Sequence, residues 1–208
     1  MHKTNGQTEY KLQLRDRILN VSMGEFLRRG IKSVRMDDIA TTMRISKRTL
    51  YEIYSDKEEL LLEGVKMYEN KHDRYMKEFA ARPGNDVIDI FVEFYNRQVE
   101  GFKDVSREYI NDIRKYPSIK NFIEKRHEER QTEAVEFFNR GVREGVFRSD
   151  IDFNIVSRMG NACIESVMKD GVYKEYGVKN VIHTVIILLL RGICTQHGIE
   201  RFDSMLGI

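Results

Sequence analysis

An all-α fold is predicted by three observations. Apolar residues recur at helical spacing along the chain, and no stretch alternates apolar and polar as a strand does. Only two prolines, Pro83 and Pro117, interrupt the 208 residues.

The elements follow in order. Leu14, Ile18, Val21 and Phe26 form one apolar stripe, ended by Gly30 as a left-handed C-terminal cap. The stretch from Met36 to Lys57, MDDIATTMRISKRTLYEIYSDK, reads as two short helices joined by a tight turn. Asp37 and Asp38 stand in the first turn of the first, where negative charge meets the positive end of the helix dipole. Ser46 suits the N-cap of the second, its hydroxyl accepting from a free backbone N–H. Ile39, Ala40, Met43, Ile45, Leu50 and Ile53 are spaced to pack the two helices on each other. Ser46, Lys47, Arg48, Thr49 and Tyr51 are then left pointing outward. That is the composition of a helix that lies against a phosphate backbone and reaches into a major groove. The pattern is a helix-turn-helix, ending a three-helix unit from about Lys11 to Tyr54.

Ser55-Asp56-Lys57-Glu58 is expected as a capping box that opens a long helix, along which Leu60, Leu61, Val65 and Tyr68 continue the stripe. Arg82-Pro83-Gly84-Asn85 ends it. Further helices are expected over about 86–101, 105–115, 119–144, 153–171 and 178–198, with a loop over 145–150. Ile155, Met159 and Cys163 line one side of the fourth of these, and Val181, Ile182, Val185, Ile186, Leu188 and Leu189 surround much of the fifth. A helix apolar on nearly every side must be covered on every side, and a partner subunit is an economical cover.

Charge is unevenly spread. The chain carries a net +2, yet residues 1–48 hold eleven Lys/Arg against five Asp/Glu, so the remainder is acidic. A basic N-terminal third on an acidic body fits a DNA reader with a separate second domain.

The register of Ile18, Leu19, Phe26, Gly30, Ile39, Ala40, Ser46, Lys47, Thr49, Leu50, Tyr51, Lys57, Glu58 and Leu60 resembles the DNA-binding domain of the TetR family of one-component transcriptional regulators. Departures are Arg44 where the family often has Gly, Glu25 where it often has Leu, and Val34 and Arg35 where Thr or Ser is common. The resemblance implies a DNA-binding domain over 11–71 and a helical effector-binding and dimerisation domain over 72–208. It implies DNA contacts from Arg35, Arg44, Ser46, Lys47, Arg48, Thr49, Tyr51, Tyr54 and Lys57. Of these Tyr51, Thr49 and Lys57 would hold phosphates, and Lys47 or Arg48 would reach a base edge. It further implies a homodimer, built on the last two long helices, bound to a palindromic double-stranded operator. A small-molecule effector would enter the aromatic-rich body, where Phe94, Tyr95, Phe102, Tyr109, Ile113, Phe138, Asn161 and Glu165 are the candidate lining. Repression is the commoner behaviour of such regulators.

Other classes find less support. His127-Glu128-Glu129-Arg130-Gln131 misses the zinc motif H-E-x-x-H because Gln131 replaces the second histidine. No phosphate-cradling glycine loop or nucleophile elbow is present, so no catalytic residue, metal or cofactor is expected. Cys163 and Cys194 are too few for a disulfide framework. They leave redox sensing as an alternative, beside DNA binding without a ligand. The polar start MHKTNGQTEY lacks an apolar leader core, and Val181–Leu190 is far shorter than the ~20 residues of a membrane span. A cytoplasmic protein without membrane contact is the expectation.

Overall fold

The computed structural model describes the backbone of residues 3–207 and the side chains of residues 9–207. The leader reading of the first ten residues therefore falls largely outside the described residues. Eleven helices and no strand make up the regular structure among the described residues, as the apolar spacing predicts. No helix among them is long and apolar enough to cross a membrane.

The chain divides into two compact units. The first holds the residues up to His72 together with Asp104–Lys125. Its helices are α1 (Lys3–Arg29), α2 (Met36–Met43), α3 (Lys47–Ile53), the first part of α4 (Lys57–Ala80), α6 (Arg107–Ile113) and the start of α7 (Pro117–Arg143). Ile18 and Phe26 of α1, Ile39 of α2, Leu50 of α3 and Leu60 and Leu61 of α4 are all fully buried. Truncating any one of these to Ala is expected to destabilise by about 2–5 kcal/mol. α1 and α4 approach closely at Gly64, where an added Cβ would lie 2.4 Å from the Met23 sulfur.

α1 ends at Gly30, whose φ of +83° is the left-handed cap expected from its type. The opening of α4 differs by one residue from the sequence reading. Asp56, not Ser55, is the cap: its Oδ1 accepts from the Glu59 N–H at 2.8 Å. The Glu59 carboxylate folds back to accept from the Ser55 N–H at 2.7 Å. Both Ser and Asp are strong caps, and their adjacency hid the register.

The second unit holds Asp73–Lys103 and the residues from Arg126 onward. It contains α5 (Val87–Gly101), α8 (Phe153–Lys169), α9 (Val172–Tyr176), α10 (Val178–Ile193) and α11 (Gln196–Leu206), with the ends of α4 and α7. Asp86 caps α5, accepting from the N–H groups of Ile88 and Asp89 at 2.9 and 3.1 Å. The core gathers Val87, Ile88, Phe147, Leu190, Ile193 and Phe202. Around it the aromatics pack on one another, Phe138 lying flat on Phe153 with centroids 4.5 Å apart.

The helix expected over 178–198 is two helices. Cys194 takes an extended conformation (φ −79°, ψ 148°). There the Arg148 N–H donates to the Ile193 carbonyl at 2.9 Å and the Thr195 N–H to the Val146 carbonyl at 3.0 Å. The 145–150 loop thus takes over hydrogen bonds that a continuous helix would have made itself. Thr195 then caps α11 through its hydroxyl, which accepts from the Gly198 N–H at 3.1 Å. The short α9, between Gly171 and Gly177, was not expected from the sequence.

Candidate nucleic-acid interface

The turn between α2 and α3 sets the site. The Arg44 N–H donates to the Thr41 carbonyl at 3.1 Å and the Ile45 N–H to the Ala40 carbonyl at 3.0 Å, a Schellman closure. That closure needs a left-handed residue after the helix, and Arg44 supplies it at φ +55°, the sole non-glycine residue among those described with positive φ. Ser46 caps α3 as expected, its hydroxyl accepting from the Thr49 N–H at 3.0 Å. Its oxygen also lies 2.8 Å from the Thr49 hydroxyl.

Leu50, fully buried, pins α3 to the unit's core. Lys47, Arg48, Tyr51 and Glu52 all stand exposed on the other side. At 100° per residue they occupy an arc of about 140°. The two cations on that face differ in their partners. Lys47 forms an ion pair with Asp37 at the start of α2, across the turn. Arg48 bonds through Nε to Glu52, one turn on in the same helix, at 2.8 Å. Arg35 and Arg44 are exposed at the flanks of α2. The Arg35 N–H donates to the Asp38 carboxylate at 3.0 Å, fixing the start of that helix.

Two of the nine sequence candidates, one buried and one part-buried, have partners within the fold. Tyr54 is fully buried, with the Arg15 guanidinium 5.3 Å above its ring. Its ring packs in the core instead of facing solvent, and that burial pushes its phenol up to about 12. Lys57 donates from Nζ to the carbonyls of Ile31 at 2.9 Å and Val34 at 3.1 Å. Burial lowers its pKa, against the Asp112 carboxylate that raises it. Its ammonium ties the loop before α2 to the start of α4.

That loop is held from a second side by α6. The Lys32 N–H donates to the Asp112 carboxylate at 2.8 Å, and the Ser106 N–H donates to the Leu27 carbonyl at 2.8 Å. Asp112 is buried at 8% exposure. Burial alone would raise its pKa, but the Lys32 N–H and the Lys115 ammonium outweigh that and hold it below the usual carboxylate value. None of these supports was read from the sequence.

The eight effector candidates divide between the two units. Tyr109 and Ile113 lie on α6 in the first unit, where burial raises the pKa of the Tyr109 phenol. Phe94, Tyr95, Phe102, Phe138, Asn161 and Glu165 belong to the second unit. There Tyr95 is buried and its hydroxyl bonds His183 Nδ1, whereas Asn161 and Glu165 are exposed on α8. Gln131, which spoils the zinc motif, donates to the Asn154 side-chain oxygen at 2.8 Å. Cys163 is exposed and Cys194 buried, both free thiols.

Known proteins share the sequence pattern and the fold. Residues 18–63, from α1 into α4, match the family model of bacterial regulatory proteins, tetR family. The HTH-type transcriptional repressor KstR2 of Mycobacterium tuberculosis is 26% identical over 167 residues, covering 76% of this chain and 80% of the repressor. A TetR-family transcriptional regulator from Marinobacter aquaeolei shares the fold with a TM-score of 0.70 at 18% identity, over 92% of this chain and 96% of that one. A transcriptional regulator from Saccharomonospora viridis, solved in complex with choline, superposes with a TM-score of 0.68 at 21% identity, over 88% and 99%.

Proposed function

The chain carries the DNA-binding domain of a TetR-family transcriptional regulator, and from that premise we propose that it is a homodimeric repressor of a palindromic operator, released by a small-molecule effector. The observation that carries the DNA-reading half is the exposed face of Lys47, Arg48 and Tyr51 on a helix pinned by Leu50. We assign DNA reading to 11–71, braced by α6, and effector binding and dimerisation to 72–208. Tyr51 and Thr49 contact phosphates, and α3 presents a guanidinium to the bases.

Dimerisation is supported by what α8 and α10 leave uncovered. α8 has no buried residue. Ile155 and Met159 on it are 58% and 60% exposed, and Leu188 on α10 is 72% exposed. A second copy covers such faces, and it holds two recognition helices at the ~34–36 Å separation of successive major grooves. The effector reading is supported by the aromatic body of the second unit and by the choline held in the Saccharomonospora viridis regulator. Release follows if the ligand prefers one spacing of the two DNA-binding domains and the operator prefers the other.

Selection of bound duplexes from a random pool tests the proposal. The expected result is a palindromic consensus bound by a species of twice the chain mass. Tyr51→Ala is expected to weaken binding to every duplex alike, as loss of a phosphate contact does. Retention of all sequences equally, or a monomer on DNA, overturns the reading.

A further inference from the structure

The two basic side chains of the recognition helix are not equivalent, and the difference points to an acidic residue that selects sequence. Lys47 offers a single point charge, already matched by Asp37 of α2. To reach DNA it must exchange one anionic partner for another, and its ammonium lacks the rigid planar fork of a guanidinium. Arg48 is different. Its side chain is 88% exposed, and among the described residues its Nε alone is engaged, by Glu52 Oε1 at 2.8 Å. A guanidinium carries five N–H donors in a rigid fork. With Nε held by Glu52 on a side chain this exposed, the end-on pair Nη1 and Nη2 stays unengaged. That is the edge which pairs with O6 and N7 of guanine in the major groove.

We propose that Glu52 is a specificity-determining positioning residue, which holds Arg48 by Nε so that its Nη1–Nη2 edge is presented to a guanine and kept off the phosphates. The proposal rests on the operator-reading function above.

Two further facts carry it. The pair runs Arg then Glu at i, i+4, the less favourable order for supporting a helix, so helix stability is a poor reason for its presence. Glu52 is itself 60% exposed on the same face as Arg48 and Tyr51. A carboxylate there repels the phosphate backbone and penalises any pose in which Arg48 swings away to a phosphate. It also removes rotamer freedom from Arg48 before binding, so less is lost on the base.

The full-length chain, its selected operator and a random duplex are sufficient for the test, with dissociation constants measured across a salt series. Glu52→Ala is expected to bind the random duplex several-fold more tightly and to lower the operator-to-random affinity ratio about tenfold, the scale of one lost bidentate base contact. The salt slope for random DNA is expected to steepen by about one unit, as Arg48 gains a phosphate. Glu52→Gln, which still accepts from Nε, is expected to restore most of the ratio. Arg48→Ala is expected to lose preference at the same operator position, and adding Glu52→Ala to it is expected to lower the ratio no further. A Glu52→Ala protein whose ratio is unchanged overturns the inference while leaving the operator reading intact. So does an equal fall in ratio with and without Arg48. A wild-type chain without preference among duplexes overturns both.

Discussion

The carboxylate of Asp112 accepts a hydrogen bond from the backbone N–H of Lys32 at 2.8 Å, across 80 positions of sequence. Through it α6 reaches the loop that precedes the helix-turn-helix, and the same loop is gripped from α4 by Lys57. The position of α2 and α3 therefore depends on residues outside the segment that matches the family model.

Removing that acceptor leaves the Lys32 N–H unpaired. Asp112→Ala is expected to destabilise the chain by about 1–3 kcal/mol, measured by urea denaturation. The effect has a pH signature. Because the folded state holds this carboxyl below its ordinary value of 3.8, its stabilisation is fully present above that value. It is lost as pH falls further, through the folded pKa. The difference between wild type and variant should thus be constant near neutrality and shrink only below about pH 4.

Gly30 cannot be replaced without disturbing the same contact. It sits at φ +83°, and an added Cβ would meet the Cβ of Glu108 at 2.5 Å and an Asp112 oxygen at 3.4 Å. Gly30→Ala is expected to destabilise by at least about 2 kcal/mol, combining left-handed strain with overpacking. Operator affinity should fall more than random-duplex affinity, since α6 is pushed off the loop that positions α3. An Ala variant as stable as wild type would show that the loop yields freely.

Arg44 offers the opposite case. A non-glycine residue at φ +55° carries a left-handed penalty. Arg44→Gly is expected to stabilise by about 1 kcal/mol, raising Tm by about 2–4 °C for a chain of this size. If Arg44 also touches a phosphate, the gain comes with a salt slope reduced by about one unit. Calorimetry and binding on the same preparation read the two effects separately.

The cysteines should differ sharply in reactivity. Burial pushes the Cys194 thiol up to about 11, so at neutral pH it holds almost no thiolate, the reactive form. Cys163 is exposed. Cys163 lies on the α8 face that the proposed dimer covers, so a thiol reagent at pH 7 is expected to spare Cys194 in every native species, to modify Cys163 only in dissociated chains, and to modify both after denaturation, as mapped by mass spectrometry. Rapid modification of Cys194 in the native chain would reopen redox sensing.

What could be read beforehand was local. Ser46 and Gly30 act within a turn of their own helices, so residue type sufficed to place both caps. The stripe of Leu60, Leu61 and Val65 is periodic and continuous, and α4 follows it. What escaped was made by partners distant in sequence. The apolar run from Val181 passes Cys194 without a proline, and the break there is enforced by the 145–150 loop. Tyr54 and Lys57 have the composition of DNA contacts, yet the Arg15 guanidinium and two loop carbonyls engage them in the fold. Glu52 stood in plain view at i+4 from Arg48. Its meaning needed the geometry of Nε.

The membership of α6 in the first unit bears on how regulators of this kind can be recombined. A graft that keeps only the N-terminal helices and attaches a foreign sensor discards Asp112 and Glu108, which pack on the donor's own loop, and Ser106, which bonds the end of α1. The transplanted reader would then meet whatever side chains the new host places there. A chimera that retains 104–125 with the N-terminal segment carries its brace with it, so the natural seam for exchange is discontinuous, three cuts instead of one.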